Sequence, residues 1–525
     1  MRDFHLPGRS PVLATNGICA TSHPIAAQVA IDLLKSGGNA VDAAIGAAIV
    51  LGLAEPQMTG IGGDCFALIS PAGGDDVIAV NGSGRAPAAA SAEALRAKGH
   101  SAIPLYDAQA VTIPGAIDAF CVMSDKWGKL GLADSLAPAI RYMEEGVVVS
   151  PRVAWDWQGC EPVLQGHGRK HFLTDGAIPK VGDLFSLRGQ AEVLRRLASH
   201  GRDAFYSGEV ADDMLATLQA LGGVHQPEDF AATACTIGDP IAGTYKHREV
   251  LEHPPNGQGV TAILMLNILA QFDIAAMDPL GAKRAHIEAE AAKLAYDARN
   301  RFLADADHMQ RLDYLMRPET AQALAALIDP KRAMPSATKA SEAVHKDTIY
   351  LTVVDRDRMA VSLIYSIFHG FGSGIASEKF GILFQNRGAG FNLTPGHPNE
   401  LAGGKRPMHT IIPGMLRDGG RVSMPFGVMG GQYQPNGHAR VITNMTDFGM
   451  DAQTALDAPR SFAEGDKLQL ERGYSDAVRA ELAALGHDVT TPDIPLGGAQ
   501  AIVIHENGAL EGASDPRKDG CAIGY

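Results

Sequence analysis

The sequence lacks the features that mark several large classes of protein. It contains no run of Lys and Arg, and its formal net charge is −14, whereas a nucleic-acid-binding surface needs a basic stripe to neutralise phosphates. Its longest apolar stretch, residues 43–54, is far shorter than the ~20 residues that span a bilayer. We therefore expect neither a nucleic acid nor a membrane as a partner.

Cysteine is scarce and scattered. The six cysteines form no C-x-x-C pair, so the sequence predicts neither a zinc ribbon nor a disulfide framework. The N-terminal residues contain no apolar segment like that of a secretory signal. If the chain starts at its true start codon, these observations predict a cytoplasmic protein with reduced thiols.

Several signatures of catalysis and ligand binding are missing or incomplete. No G-x-S-x-G elbow is present, so a Ser/His/Asp triad is not predicted. Residues 60–63 resemble a phosphate loop only loosely and lack its Gly-Lys-Ser/Thr end. His286 and Glu290 are spaced by one helical turn and could bind a metal, but no third ligand is recognisable, which favours a structural or surface role. The sequence therefore predicts no metal and no cofactor.

The patterns that are present predict a layered protein of helices and strands. Residues 24–54 have helical periodicity with a break at 36–39, and 65–69 form a probable strand. The middle third is predicted to be mainly helical, with helices near 212–221, 260–269 and 284–303. Later segments predict two strands and a helix capped by Ser475, at 421–425, 500–504 and 475–485. Layered α/β or α+β architecture follows.

A change of character near residue 347 is the most informative feature. Residues 329–346 are polar and rich in Pro and Ser, which is typical of an exposed linker. The following residues, 348–354 and 359–367, are rich in β-branched side chains and flank a polar turn, so they predict a β-hairpin. A turn of two or three residues would set Thr348 opposite residues 365–367, a window that contains Ser366. A Thr in a strand is usually only a strand residue, and its surroundings must decide its role.

Segments spread along nearly the whole chain match, in order and spacing, the landmarks of one enzyme family. They are residues 36–44, 55–63, 111–115, 205–208, 254–259, 347–355, 405–408 and the Gly430-Gly431 pair. On these segments the chain resembles the γ-glutamyltransferase family of self-cleaving amide hydrolases. The resemblance implies an α+β fold, the four-layer αββα sandwich of N-terminal-nucleophile (Ntn) hydrolases.

The resemblance also implies a cleavage and a set of catalytic residues. The chain would cut itself between Asp347 and Thr348, giving a large fragment 1–347 and a small fragment 348–525 that stay together as one αββα domain. This heterodimer is the expected partnership, and a further pairing of two heterodimers is left open. Thr348 would be the nucleophile and Ser366 its hydrogen-bonding partner, while the amides of Gly430 and Gly431, in a glycine-rich turn over 426–431, would bind the oxyanion.

The positions that correspond to the substrate pocket depart from true γ-glutamyl enzymes. Phe368 replaces an Asn, Ala389-Gly390 replace an Asp pair, His409-Thr410 replace a Ser pair, and Arg85 lies two positions away from the family's arginine. Groups that would pair with the glutamyl amino group are thereby lost. The residues predicted to bind substrate are Arg85, Phe368, Arg387, His409 and Thr410.

These departures predict hydrolysis of a small amide that carries a carboxylate, such as oxamate. Three alternatives are kept: a γ-glutamyl hydrolase or transferase acting on glutathione-type substrates, a glutaryl-type acylase, and a protein that folds and cleaves but serves as a scaffold. Activity on oxamate but not on a γ-glutamyl anilide would distinguish the oxamate-type hydrolase from the γ-glutamyl enzyme. Retention of Thr348, Ser366 and the Gly430-Gly431 pair makes the scaffold the weakest.

Overall fold

The computed structural model describes residue 5 and residues 8–72, 74, 76–335 and 348–525. Asp347 and most of the predicted linker lie outside the described residues. The part of the linker that is described, up to residue 335, is largely exposed at 330–332, which agrees with the polar composition of this segment.

Two antiparallel seven-stranded sheets form the centre of the molecule. The strands of sheet I follow one another in the spatial order Val12–Ala14, Leu510–Ser514, Gly498–Ile504, Arg421–Met429, Gly414–Asp418, Arg248–Glu252 and Ile241–Tyr245. The strands of sheet II have the order Cys521–Gly524, Ile18–Thr21, Ile349–Val354, Ala360–Ser366, Asp64–Ser70, Ile78–Gly82 and Thr236–Gly238. Each sheet contains strands from both sides of residue 347, so neither predicted fragment can complete a sheet alone.

The two sheets pack face to face, and alternation along a strand decides which side chains lie between them. In strand Ile349–Val354, Ile349 and Leu351 pack into the core that sheet II shares with its helices, whereas Tyr350 and Val354 pack into cores shared with sheet I. Because side chains alternate with a period of two, Thr348 belongs with Tyr350 on the face between the sheets.

Helices cover the outer face of each sheet. The helices that pack on sheet II are Pro24–Lys35, Ala40–Ala54, Ala116–Trp127, Leu132–Glu145, Pro151–Cys160, His167–Phe172, Arg188–His200, Asp203–Tyr206, Gly208–Ala220 and Pro227–Ala231. Those on sheet I are Gly259–Leu269, Ala282–Phe302, Leu312–Met316, Pro318–Ala325, Gln434–Phe448 and Ala452–Asp457. The order of layers is α, β, β, α, which confirms the predicted sandwich.

Smaller elements extend this frame. Helix Ala92–Ala97 packs under a loop, and helix Asp476–Ala484 packs beside helix Ala282–Phe302. Two minor sheets contain the strands Ser461–Glu464, Lys467–Leu470 and Asp488–Thr490, and the strands Val147–Val148 and Leu184–Phe185. None of the described helices is both long and apolar enough to cross a membrane.

The predicted elements are mostly confirmed, with two corrections. The mainly helical middle third contains strands 241–245 and 248–252 of sheet I, which the sequence pattern did not reveal. The glycine-rich turn predicted over 426–431 is wrong in its first part, because residues 426–429 continue a strand that pairs with Gly498–Ile504. The capping role of Ser475 is confirmed, since its Oγ accepts from Val478 N at 3.3 Å.

Candidate active site

Thr348 and Ser366 lie opposite each other at the open end of the predicted hairpin. Ile349 pairs with Tyr365 in the register of the two strands, and the next pair along the hairpin is therefore Thr348 with Ser366. The two hydroxyl oxygens are 3.2 Å apart, and both residues are buried. The loop at the other end is closed by a hydrogen bond from Asp355 N to Met359 O at 3.1 Å, which leaves a three-residue turn and fixes this register.

The hydrogen bonds of Ser366 determine the direction of its bond with Thr348. Its Oγ accepts from Phe368 N at 2.9 Å and from Arg387 Nη2 at 3.2 Å. A hydroxyl has two acceptor lone pairs and one proton, so the proton of Ser366 is left for Thr348 Oγ1. Ser366 therefore donates to Thr348, whose own hydroxyl proton is not used in this bond.

Arg387 is the cation nearest to this pair of hydroxyls. It is fully buried, and its Nη1 donates to Thr410 Oγ1 at 2.9 Å. Its guanidinium carbon lies 4.0 Å from the ring centre of Phe368, a cation–π contact. Burial lowers the pKa of Arg387 to about 9, opposed by the charge of Asp64, so the side chain is still protonated at neutral pH.

Two features show that the positive charge of Arg387 is incompletely matched. Among the described residues no carboxylate forms an ion pair with it, and its buried Nε has no hydrogen-bond acceptor. Asp64, whose charge acts on it, is occupied elsewhere: its Oδ1 accepts from Gly84 N at 2.9 Å and from Gln385 Nε2 at 2.8 Å, and its Oδ2 faces His409 at 3.1 Å. A buried cation without a bonded anion is costly unless a ligand supplies one.

His409 does not offer a second cation. Burial, with the neighbouring charge of Arg387, lowers the pKa of His409 to about 3, so the ring is neutral at neutral pH. Its Nε2 then donates to Asp64 Oδ2, and the ring packs against Phe66 with centroids 4.6 Å apart. The expectation that His409 helps to hold a carboxylate as a charged group is not supported by this arrangement.

Arg85 lies apart from the other predicted substrate residues. Its Nη1 donates to Gly404 O at 2.9 Å and pairs with Asp305 at 3.5 Å, and 40% of its side chain is exposed. No sequence pattern distinguishes Arg85 from Arg387; only their burial and tertiary contacts do. Of the five predicted substrate residues, the structure thus brings Phe368, Arg387 and Thr410 directly together.

Gly430 follows strand Arg421–Met429 and lines a cleft that Thr348 also lines, and Gly431 is the next residue. Gly430 has φ of 115°, and a Cβ on it would lie 2.8 Å from Gly497 Cα, so only glycine fits this turn. Gly431 also has a positive φ. Two successive glycines in such conformations can aim their amides at one point, as an anion-binding turn requires.

Gln258 is a supporting residue that the sequence analysis did not single out. Its Nε2 donates to Thr410 O at 2.7 Å and to Gly431 O at 2.9 Å. Its Oε1 accepts from Arg299 Nη1 at 2.7 Å. One amide thus joins the loop beside Arg387 to the loop beside Thr348. It lies within the segment 254–259 that carries the family resemblance, but only the fold shows what it contacts.

Basic side chains also line the cleft beside Thr348. Arg152 and Lys518 line it, and both contact Asp156, at 2.8 and 3.5 Å respectively. Glu55 lies near Lys518, and burial raises the pKa of its carboxyl to about 7. The cleft beside Thr348 is therefore polar, as a site for small charged molecules requires.

Comparison with known proteins agrees with this geometry. The family model for gamma-glutamyltranspeptidase matches residues 26–525. The chain is 36% identical to the oxamate amidohydrolase proenzyme of Klebsiella pneumoniae and 34% identical to the glutathione hydrolase-like YwrD proenzyme of Bacillus subtilis, covering 98% of this chain and 99% of each relative. It also resembles the crystal structure of cephalosporin acylase from Bacillus halodurans, with a TM-score of 0.92 and 36% identity over 100% of this chain and 99% of that one.

These matches extend over nearly the whole chain, so they include both sheets and both helical layers. The relatives are named as hydrolases or acylases and the first two as proenzymes, which agrees with a Thr at the start of a central strand. The chain therefore belongs to the gamma-glutamyltranspeptidase family, and it is an amide hydrolase or acyltransferase with the Ntn-hydrolase fold.

Proposed function

We propose that the chain cleaves itself between Asp347 and Thr348 and then hydrolyses a short amide that carries a carboxylate beside the scissile carbonyl. The two fragments, 1–347 and 348–525, stay together because strand Ile349–Val354 is paired on one side with Ile18–Thr21 from the large fragment. Strand Ala360–Ser366 is likewise paired with Asp64–Ser70.

Cleavage is required because it creates the base. A Thr hydroxyl is a weak nucleophile until a base accepts its proton. The freed α-amine of Thr348 titrates near ~7.7 in model compounds, so it can accept that proton at neutral pH. Before cleavage the same nitrogen is an amide without basicity, and the uncut chain is inactive.

The reaction then proceeds through an ester of Thr348. Its Oγ1 attacks the amide carbon while the α-amine takes the hydroxyl proton, and the developing oxyanion accepts from the amides of Gly430 and Gly431. The C–N bond breaks as the α-amine returns the proton to the leaving nitrogen. Water, deprotonated by the same amine, attacks the ester, and the acid is released with Thr348 restored. The bond from Ser366 holds the nucleophile throughout.

The buried, unmatched charge of Arg387 is the observation that supports a carboxylate-bearing substrate. Arg387 reaches Ser366 Oγ at 3.2 Å, and Ser366 in turn reaches Thr348 at 3.2 Å, so the guanidinium lies no more than two hydrogen-bond lengths from the nucleophile. A carboxylate bonded directly to the scissile carbonyl, as in oxamate, spans this short distance. Phe368 supplies a dry wall beside it. The oxamate amidohydrolase relative agrees with this assignment.

The glutathione and glutaryl alternatives are supported less well. A γ-glutamyl group needs an acceptor for its ammonium, and the carboxylate nearest to Arg387, that of Asp64, already accepts from two backbone amides, Gln385 and His409. A glutaryl group sets its carboxylate behind three methylene groups, a longer chain than the short path from Thr348 through Ser366 to Arg387 requires. Because two relatives are named as a glutathione hydrolase-like proenzyme and a cephalosporin acylase, both substrate types are included in the test.

A substrate panel tests this proposal. Purified, processed enzyme is incubated with oxamate, its neutral counterpart oxamide, a γ-glutamyl anilide and a glutaryl anilide, and released ammonia or aniline is measured. We expect oxamate to have the highest kcat/KM, and oxamide to be a poor substrate. Preference for either anilide would overturn the short-acid assignment, and the identity of the preferred anilide would name the substrate class instead.

A further inference from the structure

Three buried side chains with metal-binding atoms meet away from the cleft. His286 and Glu290 lie one turn apart on helix Ala282–Phe302, and His487 lies just beyond helix Asp476–Ala484. Their donor atoms are all within 4.8 Å of one another. The expected structural or surface role for His286 and Glu290 depended on the lack of a third ligand, and the fold supplies one from 201 residues further along the chain.

The hydrogen bonds of His286 orient it as a ligand. Its Nε2 lies 2.8 Å from Asp329 O, and a carbonyl can only accept, so the proton is on Nε2 and the lone pair is on Nδ1. That Nδ1 faces His487 Nε2 at 2.8 Å. A backbone carbonyl on the far nitrogen is the partner that commonly fixes the tautomer of metal-binding histidines.

The other two groups can also donate electron pairs. His487 is buried, and its Nε2 lies 2.8 Å from His286 Nδ1, so both rings present a nitrogen to the same point. Glu290 Oε1 accepts from Lys293 Nζ at 2.7 Å, and its Oε2 accepts from Met334 N at 2.8 Å. Each carboxylate oxygen keeps a second lone pair for a further partner.

The donor set and its spacing suit one class of ion. Two imidazoles and a carboxylate are typical of zinc and similar transition metals, whereas magnesium and calcium prefer oxygen ligands. Tetrahedral zinc with bonds of about 2.0–2.1 Å places two ligand nitrogens about 3.3 Å apart. The rings of His286 and His487 would need to separate only slightly, and water would take the fourth position.

We propose that His286, Glu290 and His487 bind one zinc-class divalent ion that fastens residues 329–334 to the C-terminal part of the chain. These residues end just before the undescribed segment that contains the predicted cleavage site. Ala333 N already donates to Leu485 O at 2.8 Å, and Met334 N donates to Glu290. In the cleaved enzyme, the ion would bind the tail of the large fragment to the small one, while metal binding itself does not require cleavage.

Direct titration with zinc, and with cobalt as a spectroscopic probe, tests the site. Metal-stripped full-length protein is expected to bind one equivalent of zinc and to melt several degrees higher with zinc than without. Cobalt is expected to give the visible bands of a tetrahedral complex with nitrogen ligands. The uncleaved Thr348→Ala protein should bind equally well, so failure of the proposed cleavage would not be mistaken for failure of this site.

Variants distinguish a metal site from a hydrogen-bonded cluster. His487→Gln and Glu290→Gln should each lose zinc binding and the rise in melting temperature, while His505→Gln, which changes an exposed His paired with Glu511, should keep both. Lys293→Gln removes the ammonium that competes for Glu290 and should tighten zinc binding several-fold. No bound equivalent in the stripped protein, or binding unchanged in both His487→Gln and Glu290→Gln, would overturn the proposal.

Discussion

The hairpin that carries Thr348 contacts the predicted substrate-binding residues around Arg387, yet the two regions are built in different ways. Thr348 and Ser366 face each other through strand register, which a short turn and two regular strands determine. Arg387 is held by Ser366 at the end of the hairpin, by the ring of Phe368 just beyond it, and by Thr410 from a distant loop. In the proposed mechanism the chemistry rests on a local element, whereas substrate choice rests on contacts between segments that are distant in sequence.

This difference explains how a family can keep one reaction and change its substrate. The sandwich and the hairpin need a fixed register, because a slip of one residue would turn Thr348 away from the inter-sheet face. The loops around Arg387 have no such constraint. Their buried polar groups need only hydrogen-bond partners. Gln258 provides one for Thr410 O and, at the same time, one for Gly431 O beside Thr348.

The largest effect is expected from a substitution of Thr348 in the hairpin. Thr348→Ala should abolish both self-cleavage and turnover, because it removes the hydroxyl that attacks in each reaction. Thr348→Ser keeps a hydroxyl and should retain slower cleavage and activity. A denaturing gel and a turnover assay measure both. Cleavage that persists in Thr348→Ala would place the nucleophile elsewhere.

The next largest effect is expected from a substitution of Arg387. Arg387→Ala removes the cation that we assign to the substrate carboxylate, and the loss of such a partner costs about 2–5 kcal/mol. This corresponds to a fall of about 30-fold or more in kcat/KM for oxamate. The change also weakens the support of Ser366, which affects every substrate, so the ratio of oxamate to oxamide activity is the decisive value. We expect that ratio to collapse.

Two arginines serve as controls for this measurement. Arg301→Ala changes an exposed arginine paired with Asp297, and it should leave the kinetics unchanged. Arg85→Ala tests the position that the sequence alone favoured equally, and its partly exposed location predicts a change of less than about twofold, as for most surface substitutions. A larger loss of oxamate activity in Arg85→Ala than in Arg387→Ala would reverse the assignment.

A smaller effect is expected where the two regions are joined. Gln258→Ala leaves the carbonyls of Thr410 and Gly431 without this donor and removes one acceptor of the buried Arg299, a cost of about 1–3 kcal/mol in the free energy of unfolding. Because Gly431 is one of the carbonyls, kcat should fall more than KM rises. Gln258→Glu keeps an acceptor for Arg299 but loses both donors, so it separates the two contributions. Thermal unfolding and steady-state kinetics measure them, and wild-type values for Gln258→Ala would refute this role.

The smallest effect concerns the pH dependence of stability near the cleft. The pKa of Glu55 is raised by burial to about 7, so the folded state holds this proton more tightly than the unfolded state does. The resulting stabilisation is present below the ordinary pKa of 4.5 and is lost as the pH rises towards 7. Glu55→Gln should remove this part of the pH dependence in denaturant unfolding. An unchanged profile would show that Glu55 is ionised in the folded state.

The hairpin and the layered arrangement of helices and strands could be predicted because their signals are periodic and local, whereas the αββα order of the layers was implied by the family resemblance. The alternation that starts at Thr348, the polar linker before it and the cap at Ser475 all rest on neighbouring residues. The strands at 241–252 were missed because both are only five residues long and Ile241–Tyr245, at the sheet edge, is half exposed, which leaves little pattern to distinguish them from loops.

The predicted substrate-binding residues could be assigned only in part from the sequence. Arg85 and Arg387 look alike as sequence, and burial alone separates them. His409 was expected to help hold a carboxylate, but burial and the charge of Arg387 keep its ring neutral, and its Nε2 is already bonded to Asp64 from a distant strand. The same limit applies to His487, since no spacing rule connects it with His286. Contacts between distant segments determine these residues.

The measurement that tests the central claim most directly is mass spectrometry of the enzyme quenched with acid during turnover of oxamate. We predict two fragments, with Thr348 at the N-terminus of the smaller one, and a transient acyl group on Thr348 that disappears when the substrate is exhausted. A cut at another residue, or an acyl group on another side chain of a fully active enzyme, would contradict the assignment of Thr348 as the nucleophile.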